Sequence, residues 1–277
     1  SKYVWLGAVT ELTALSVAAG TAAGQPKAGA TFQTFDSATA AEGVLGGSMG
    51  WGNNGAAITS GELQAGYALF ATPEIVDVNL IIGGPGVDAT DTATGVYLAS
   101  LVGQGSSARN DAMVFLSPTF TDAVTTKTAA AMTATKTTYG SNNYVVMDGA
   151  WKYQYDRYRD LFFYCPMNGD TAGLVARTEY TNDAWWSPAG MSRGQIKNII
   201  KLSWEPTKAD RDTLYKSSVN PLITMAGAGV MLWGDKTAQI KPSAFDRINV
   251  RRLFIVLEKA IAIAAKAMLF EFNDEFT

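Results

Sequence analysis

Histidine is missing from this sequence of 277 residues, and cysteine occurs once, at Cys165. Without histidine the chain cannot form a Ser-His-Asp or a Cys-His catalytic site, and most zinc and iron sites are excluded too. A single cysteine rules out an internal disulfide. Cys165 precedes Pro166 in an aromatic run, so we interpret it as an apolar packing residue. The sequence therefore predicts no catalytic residue and no metal site.

Charge is also sparse, because only 17% of the residues are charged and the net charge is −3. This balance gives no electrostatic case for a nucleic acid or for an acidic membrane as a partner. Hydrophobic residues make up 47% of the chain, which is enough for a substantial core in one large domain, or in one domain and part of another.

From Ile58 onward, short apolar runs alternate with segments of helical pattern. The runs predict strands at Val76–Ile82, Ala112–Leu116 and Tyr144–Met147. The intervening segments predict helices from Ser60 to Phe70, Thr90 to Leu101 and Asp122 to Thr135. This alternation indicates parallel βαβ units with helices on both faces of the sheet. Before Ile58, the patterns suggest only a strand at Tyr3–Leu6 and a strand edge or loop at Val44–Trp51.

The second half of the chain begins with aromatic residues at 151, 153 and 155, which alternate with polar residues as on a half-buried strand. Asp156-Arg157 would turn this strand into a second one at Leu161–Tyr164. Further elements are predicted in order along the chain: a helix at Asp170–Arg177, a strand at Ile199–Trp204, a helix at Thr207–Lys216, and a hairpin with arms Leu222–Met225 and Val230–Trp233. We place a domain boundary at Glu205-Pro206. The expected fold class is α/β, with a mixed, largely parallel sheet flanked by helices, followed by a smaller α+β subdomain that contains a long buried helix.

That long helix is predicted from Pro242 to Phe270, with Ser243 and Asp246 at capping-box spacing at its start. From Leu253 to Phe270 it is apolar almost all the way round, so we expect it to be buried. Glu258, Lys259 and Lys266 interrupt this run, which argues against a membrane span.

A cationic cluster at the start of this helix is the main candidate site. Arg247 and Arg251 are four residues apart and share a face, where like charges destabilise a helix. Arg252 and Asp246 lie beside them. We expect carboxylates, either in this chain or in a neighbouring subunit, to offset the positive charge. The alternative is a solvated helix face.

One turn has the spacing of a dinucleotide-binding site. Residues Gly84 to Ala89 match G-x-G-x-x-A between a predicted strand and a predicted helix. Pro85 fits poorly, because the motif donates backbone N–H groups and proline has none. We favour a plain strand-to-helix turn in which glycine supplies positive φ, with Asp88 and Asp91 as helix caps.

Several segments of the second half resemble the tail sheath protein of contractile bacteriophages, most closely those of T-even-like phages. The most specific one is F-D-R-I-N-V-R-R-L-F at Phe245–Phe254. The others follow the family's order: Leu174–Thr178, Trp186–Gly190, Arg193–Ile196, Asp212–Tyr215, Asn220-Pro221, Gly234–Ala238 and Leu269–Asn273. The resemblance extends from about Ser60 to Thr277.

The resemblance implies a non-enzymatic structural subunit without cofactors. Such subunits stack as hexameric rings around the tail tube, and a signal from the baseplate triggers a contraction that drives the tube through the host envelope. The implied partners are further copies of the subunit, the tube protein, and the baseplate and tail terminator proteins, with no nucleic acid and no membrane insertion. The implied location is the phage tail of the virion, after assembly in the host cytoplasm.

The resemblance also implies a division into an outer α/β domain, residues 1–205, and part of an inner domain near the tube, residues 206–277. Family members extend beyond both ends of this chain, with arms that add strands to neighbouring subunits. A helix that docks on the tube is expected just after Leu269–Asn273. The competing hypothesis is a Rossmann-like nucleotide-binding enzyme that uses the Gly84–Ala89 turn.

Overall fold

A computed structural model describes residues 57–103, 105 and 108–270 of the chain. The strand predicted at Tyr3–Leu6 and the segment Val44–Trp51 lie outside these residues.

A three-stranded parallel sheet forms the centre of the fold, in the order β1 (Leu80–Ile82), β2 (Met113–Leu116) and β3 (Val145–Met147). All residues of β2 and β3 are buried. This agrees with their continuous apolar sequences, which are typical of strands that are covered on both faces of a sheet. β1 is shorter than the predicted Val76–Ile82. The guanidinium of Arg109 donates hydrogen bonds to the carbonyls of Phe70 and Val76, so a side chain rather than a neighbouring strand binds the start of the predicted strand.

Helices α1 (Ser60–Ala68), α2 (Ala93–Leu101) and α3 (Ala129–Tyr139) belong to this first half. Helix α1 begins at Ser60, as predicted, behind a capping box formed by Thr59 and Glu62, and it ends at Ala68 instead of Phe70. The single helix predicted at Asp122–Thr135 is wrong. A π-helical segment, Thr121–Thr126, ends at Lys127, which has a left-handed φ of 55°, and Thr128 caps the new helix α3 through the N–H of Ala131.

An aromatic hairpin follows the sheet and consists of β4 (Trp151–Asp156) and β5 (Leu161–Pro166), as predicted. Cross-strand ring contacts stabilise it, among them Tyr153 stacked on Phe162 with centroids 5.6 Å apart. The strand predicted at Ile199–Trp204 is reduced to β6 (Lys201–Leu202), because it pairs with β4 at only two positions. The resulting sheet has the order β5-β4-β6, so β5 is an edge strand.

The rest of the described chain contains α4 (Asn168–Thr181), α5 (Lys208–Lys216), the hairpin β7 (Leu222–Met225) with β8 (Gly229–Leu232), and α6 (Ile248–Ala265). Leu214, Val219, Ile248 and Ile255 belong to the same apolar cluster as the parallel sheet. Residues on both sides of Glu205-Pro206 therefore share one core. The α/β fold class is confirmed.

The prediction of a fully buried long helix is wrong. The first turn is a 3₁₀ segment, Ala244–Asp246, in which Ser243 accepts from the Phe245 N–H instead of forming a capping box, and α6 starts only at Ile248. The buried residues of α6 lie in its first half, and Leu257, Ile261 and Ile263 are exposed. The core reaches α6 from one side only, whereas the apolar pattern runs around the whole helix. Among the described helices, none combines the length and hydropathy needed to cross a membrane.

Candidate functional site

The cationic cluster predicted from the sequence is held by three different arrangements, one for each arginine. Arg247 precedes α6 in extended conformation, and its Nη1 lies 2.7 Å from Oδ1 of Asp235. The same guanidinium donates to the hydroxyl of Tyr215, and Asp246 lies 3.5 Å away. The hydrogen bond to Asp235 raises the pKa of Arg247. Its side chain is 41% exposed, so this is an ion pair at the surface.

Arg251 is fully buried, and its partners are aromatic. Its guanidinium carbon lies 4.2 Å from the ring centroids of both Tyr144 and Phe245, and Nη1 donates to the Tyr144 hydroxyl at 2.8 Å. Its Nε and Nη2 have no hydrogen-bond partner, and the described residues supply it with no salt bridge. Cation–π attraction and packing, rather than a carboxylate, therefore hold this charge within the described structure.

Arg252 forms a bidentate ion pair with Glu179 on α4. Nε and Nη2 of Arg252 donate to the two carboxylate oxygens at 2.8 and 3.0 Å. The arginine side chain is only 6% exposed. Two parallel charge-assisted hydrogen bonds fix the angle between two helices as well as their distance. This pair therefore fastens α6 to α4.

Sequence reasoning identified the arginines but not their partners Glu179, Asp235 and Tyr144. These residues lie 73, 12 and 107 positions away from the arginines they contact. No spacing rule connects such positions. The available signal was indirect: three clustered cations beside an apolar helix require compensation somewhere in the fold.

The Gly84–Ala89 turn has the geometry of a strand-to-helix connection. Gly84 and Gly86 have φ values of 67° and 78°, where glycine is favoured. The carboxylate of Asp91 accepts from the N–H of Val87 at 3.1 Å and from the hydroxyl of Thr94 at 2.7 Å. Burial raises the pKa of Asp91, but these hydrogen bonds outweigh it and keep the pKa below its usual value.

A pyrophosphate does not fit this turn. The N–H group of Val87, which a phosphate would need, already donates to the carboxylate of Asp91. The negative charge of this carboxylate would also repel a phosphate. The adjoining cavity has a volume of only about 20 Å³. The ring of Tyr139 also packs directly on Gly95 in the helix that follows.

Similarity to known proteins agrees with this geometry. The model of the phage tail sheath protein central domain matches residues 56–238, about two thirds of the chain. The chain belongs to the phage tail sheath protein family. The family is structural, so the predicted family and the prediction of a non-enzymatic protein are both confirmed.

Two relatives of this sheath chain are named tail sheath proteins. That of Enterobacteria phage T4 is 41% identical over 250 residues, which cover 85% of this chain and 37% of the T4 protein. That of Vibrio phage KVP40 is 40% identical over 228 residues, which cover 76% of this chain and 34% of the relative. The sheath chain thus spans about a third of the length of these relatives.

Solved structures share the fold of the sheath chain. The helical sheath of the anti-feeding prophage in its contracted state has a TM-score of 0.59 at 20% identity, over 80% of this chain and 56% of that one. The contracted sheath complex of the extracellular contractile injection system PVC has a TM-score of 0.58 at 19% identity, over 73% of this chain and 51% of that one.

Proposed function

We propose that this chain is part of a structural subunit of a contractile phage tail sheath, which polymerises around a tail tube and contracts to drive the tube through the host envelope. The observation that supports this most is the match of the sheath central domain to residues 56–238. The fold shared with a contracted helical sheath supports a role in an assembly that changes its packing.

The proposal includes the partners and location implied by the family. Copies of the subunit stack as hexameric rings, bind the tail tube protein, and meet the baseplate and tail terminator proteins at the two ends. The subunit assembles in the host cytoplasm and remains in the virion tail. Residues 1–205 belong to the outer part of the subunit, and residues 206–277 to the part nearer the tube.

The arginine cluster serves this function as an internal brace. A subunit that transmits force must move as a rigid body, and Arg252 with Glu179 ties α6 to α4, while Arg247 with Asp235 ties α6 to the segment after β8. Arg251 anchors the same helix in the core between two rings. In this proposal Asp246 and the three arginines hold the subunit together rather than bind a ligand.

Electron microscopy of the full-length protein that contains this chain tests the function. We expect helical tubes of sheath width, with an open lumen for a tube. Full-length protein that is folded and concentrated, yet forms no helical assembly alone or with its tail tube, would overturn the proposal.

A further inference from the structure

The aromatic hairpin β4–β5 exposes more apolar surface than its own sheet requires. Tyr155, Leu161, Phe162 and Phe163 are exposed on its strands, and Tyr158 at the tip is 88% exposed. Strand β5 reads L-F-F-Y-C-P without a charged residue, and within the described part of the chain one of its edges pairs with no other strand. Natural edge strands normally carry charges or other features that prevent pairing, and contiguous apolar patches mark interaction sites.

The tip of this hairpin also presents two cations. Arg157 and Arg159 are exposed, and no salt bridge to either is found among the described residues. The neighbouring carboxylates are engaged within the hairpin, where Asp156 accepts from the Tyr158 N–H at 2.9 Å and Asp160 from the Tyr155 hydroxyl at 2.7 Å. The tip thus presents an aromatic ring flanked by two guanidinium groups, while the two hydrogen-bonded carboxylates keep their charge and make the net charge of the tip zero.

A groove of about 420 Å³ has the complementary character. Its apolar floor is formed by α6, with Ile255 at the middle of the helix and Ala262 and Ile263 in its second half. Four carboxylates and two ammonium groups line it: Glu74, Asp77, Asp111, Glu258, Lys259 and Lys266. Asp77 pairs with Lys259 and Asp111 with Arg109, which leaves the carboxylates of Glu74 and Glu258 without a salt bridge in the described structure.

The hairpin and the groove lie at opposite ends of the strands of the parallel sheet. Asp77 and Asp111 precede β1 and β2, so the groove lies at the N-terminal ends of these strands. The indole N–H of Trp151, at the root of the hairpin, donates to the carbonyl of Pro118 at 2.8 Å, just after the end of β2. The hairpin is therefore rooted where the strands end.

We propose that the tip of the hairpin of one sheath subunit docks into the α6 groove of a second copy. The guanidinium groups of the tip and the carboxylates of the groove that have no salt bridge, together with a shared apolar component, favour this pairing. Because the hairpin and the groove are different surfaces at opposite ends of the sheet, the contact between two copies is heterologous. A row of copies joined in this way keeps an unoccupied hairpin at one end and an unoccupied groove at the other. This inference rests on the proposed sheath function and names the surfaces through which copies meet.

Disulfide trapping tests the contact in the chain itself. In a Cys165→Ala background, Tyr158→Cys supplies a thiol at the tip and Glu74→Cys one at the groove. We expect a 1:1 mixture of these variants to form crosslinked heterodimers under mild oxidation, and a chain with both substitutions to form a ladder of dimers, trimers and higher species. The matched control pairs Tyr158→Cys with Asp212→Cys on exposed α5. A mixture that crosslinks no more than this control, or that crosslinks mainly tip to tip, would overturn the proposal.

Charge reversal distinguishes a specific contact between the hairpin and the groove from non-specific association. Arg157→Glu with Arg159→Glu should lower the crosslinked fraction at least about fivefold, since like charges would then face each other. Lys208→Glu with Lys216→Glu makes the same change in net charge on α5 and should leave the fraction unchanged. Equal effects of the two double variants would refute a specific contact.

The same reversal in the full-length protein distinguishes this inference from the sheath function. If the parent forms tubes and the Arg157→Glu, Arg159→Glu variant does not, both are supported. Equal tubes from both proteins would refute the hairpin contact and leave the sheath function intact. If the parent forms no tubes, the sheath function fails, and the trapping experiment alone decides whether the surfaces meet.

Discussion

Truncation of Arg251 should reveal how the core accommodates a buried charge held by aromatic rings. Arg251→Ala leaves a cavity between Tyr144 and Phe245, which costs about 2–4 kcal/mol. It also removes cation–π contacts worth about 2 kcal/mol and leaves the Tyr144 hydroxyl unpaired at about 1 kcal/mol. Removing a buried charge with two unpaired nitrogens stabilises the folded state by about 3 kcal/mol, which offsets part of this loss. We expect a net loss of about 3 kcal/mol in the free energy of unfolding.

Replacement of the same residue by methionine isolates the role of the charge. Arg251→Met retains most of the volume between the rings while it removes the guanidinium, so we expect a loss of about 1 kcal/mol or less. Lys266→Ala, at an exposed position beyond the same helix, is the matched control and should change stability by less than about 0.5 kcal/mol.

Urea unfolding followed by tryptophan fluorescence measures these differences, and thermal unfolding should show a decrease in Tm of about 6–12 °C for the alanine variant. An alanine variant within 1 kcal/mol of the parent would show that the side chain does not fill the core. A methionine variant as unstable as the alanine variant would show that the interactions of the charge outweigh the cost of burying it, contrary to this expectation.

Four further outcomes follow from the structure. Glu179→Gln should cost about 2 kcal/mol, because it leaves the almost fully buried Arg252 without its charged partner. Gly95→Ala should cost about 1–3 kcal/mol, because its new methyl group meets the aromatic ring packed on it, whereas Gly173→Ala, inside α4 with open space around its Cα, should stabilise by about 0.5–1 kcal/mol. Burial raises the pKa of Asp148 well above its usual value, so its contribution to stability is complete below the unfolded-state pKa of about 4 and is lost as the pH rises through the folded-state pKa. The parent should therefore lose stability between pH 5 and pH 7, and Asp148→Asn should lose less, because asparagine does not titrate. Finally, light scattering coupled to size exclusion should find this chain monomeric at tens of micromolar, because contacts between the surfaces of rigid domains belong to the small, weak class.

Each of these expectations has a contrary result that would refute it. Unfolding free energies measured in urea would contradict the first two if Glu179→Gln matched the parent or if both glycine variants shifted in the same direction. An unchanged difference in stability between pH 5 and pH 7 in Asp148→Asn would show that this carboxyl does not titrate between the folded and unfolded states. Stable hexamers or tubes from the chain alone would show that the domain surfaces themselves suffice for assembly.

Local patterns in the sequence determined much of the fold. The apolar runs before Ser117 and around Val145 predicted buried parallel strands, because a strand covered on both faces needs a continuous apolar run. The alternating aromatics after Trp151 predicted the hairpin, and the glycines at 84 and 86 predicted a turn with positive φ. In each of these cases the information lies within about ten residues, so short-range rules were sufficient.

Only the tertiary structure decided what surrounds each of these elements. The apolar pattern of α6 indicated burial on all sides, but the core covers only its first half and leaves the second half as the floor of a groove. Likewise, the sequence indicated that the arginines need compensation, while the fold assigned a carboxylate to Arg252 and two rings to Arg251. Burial and pairing depend on which distant segments the chain brings together, and no local pattern contains that information.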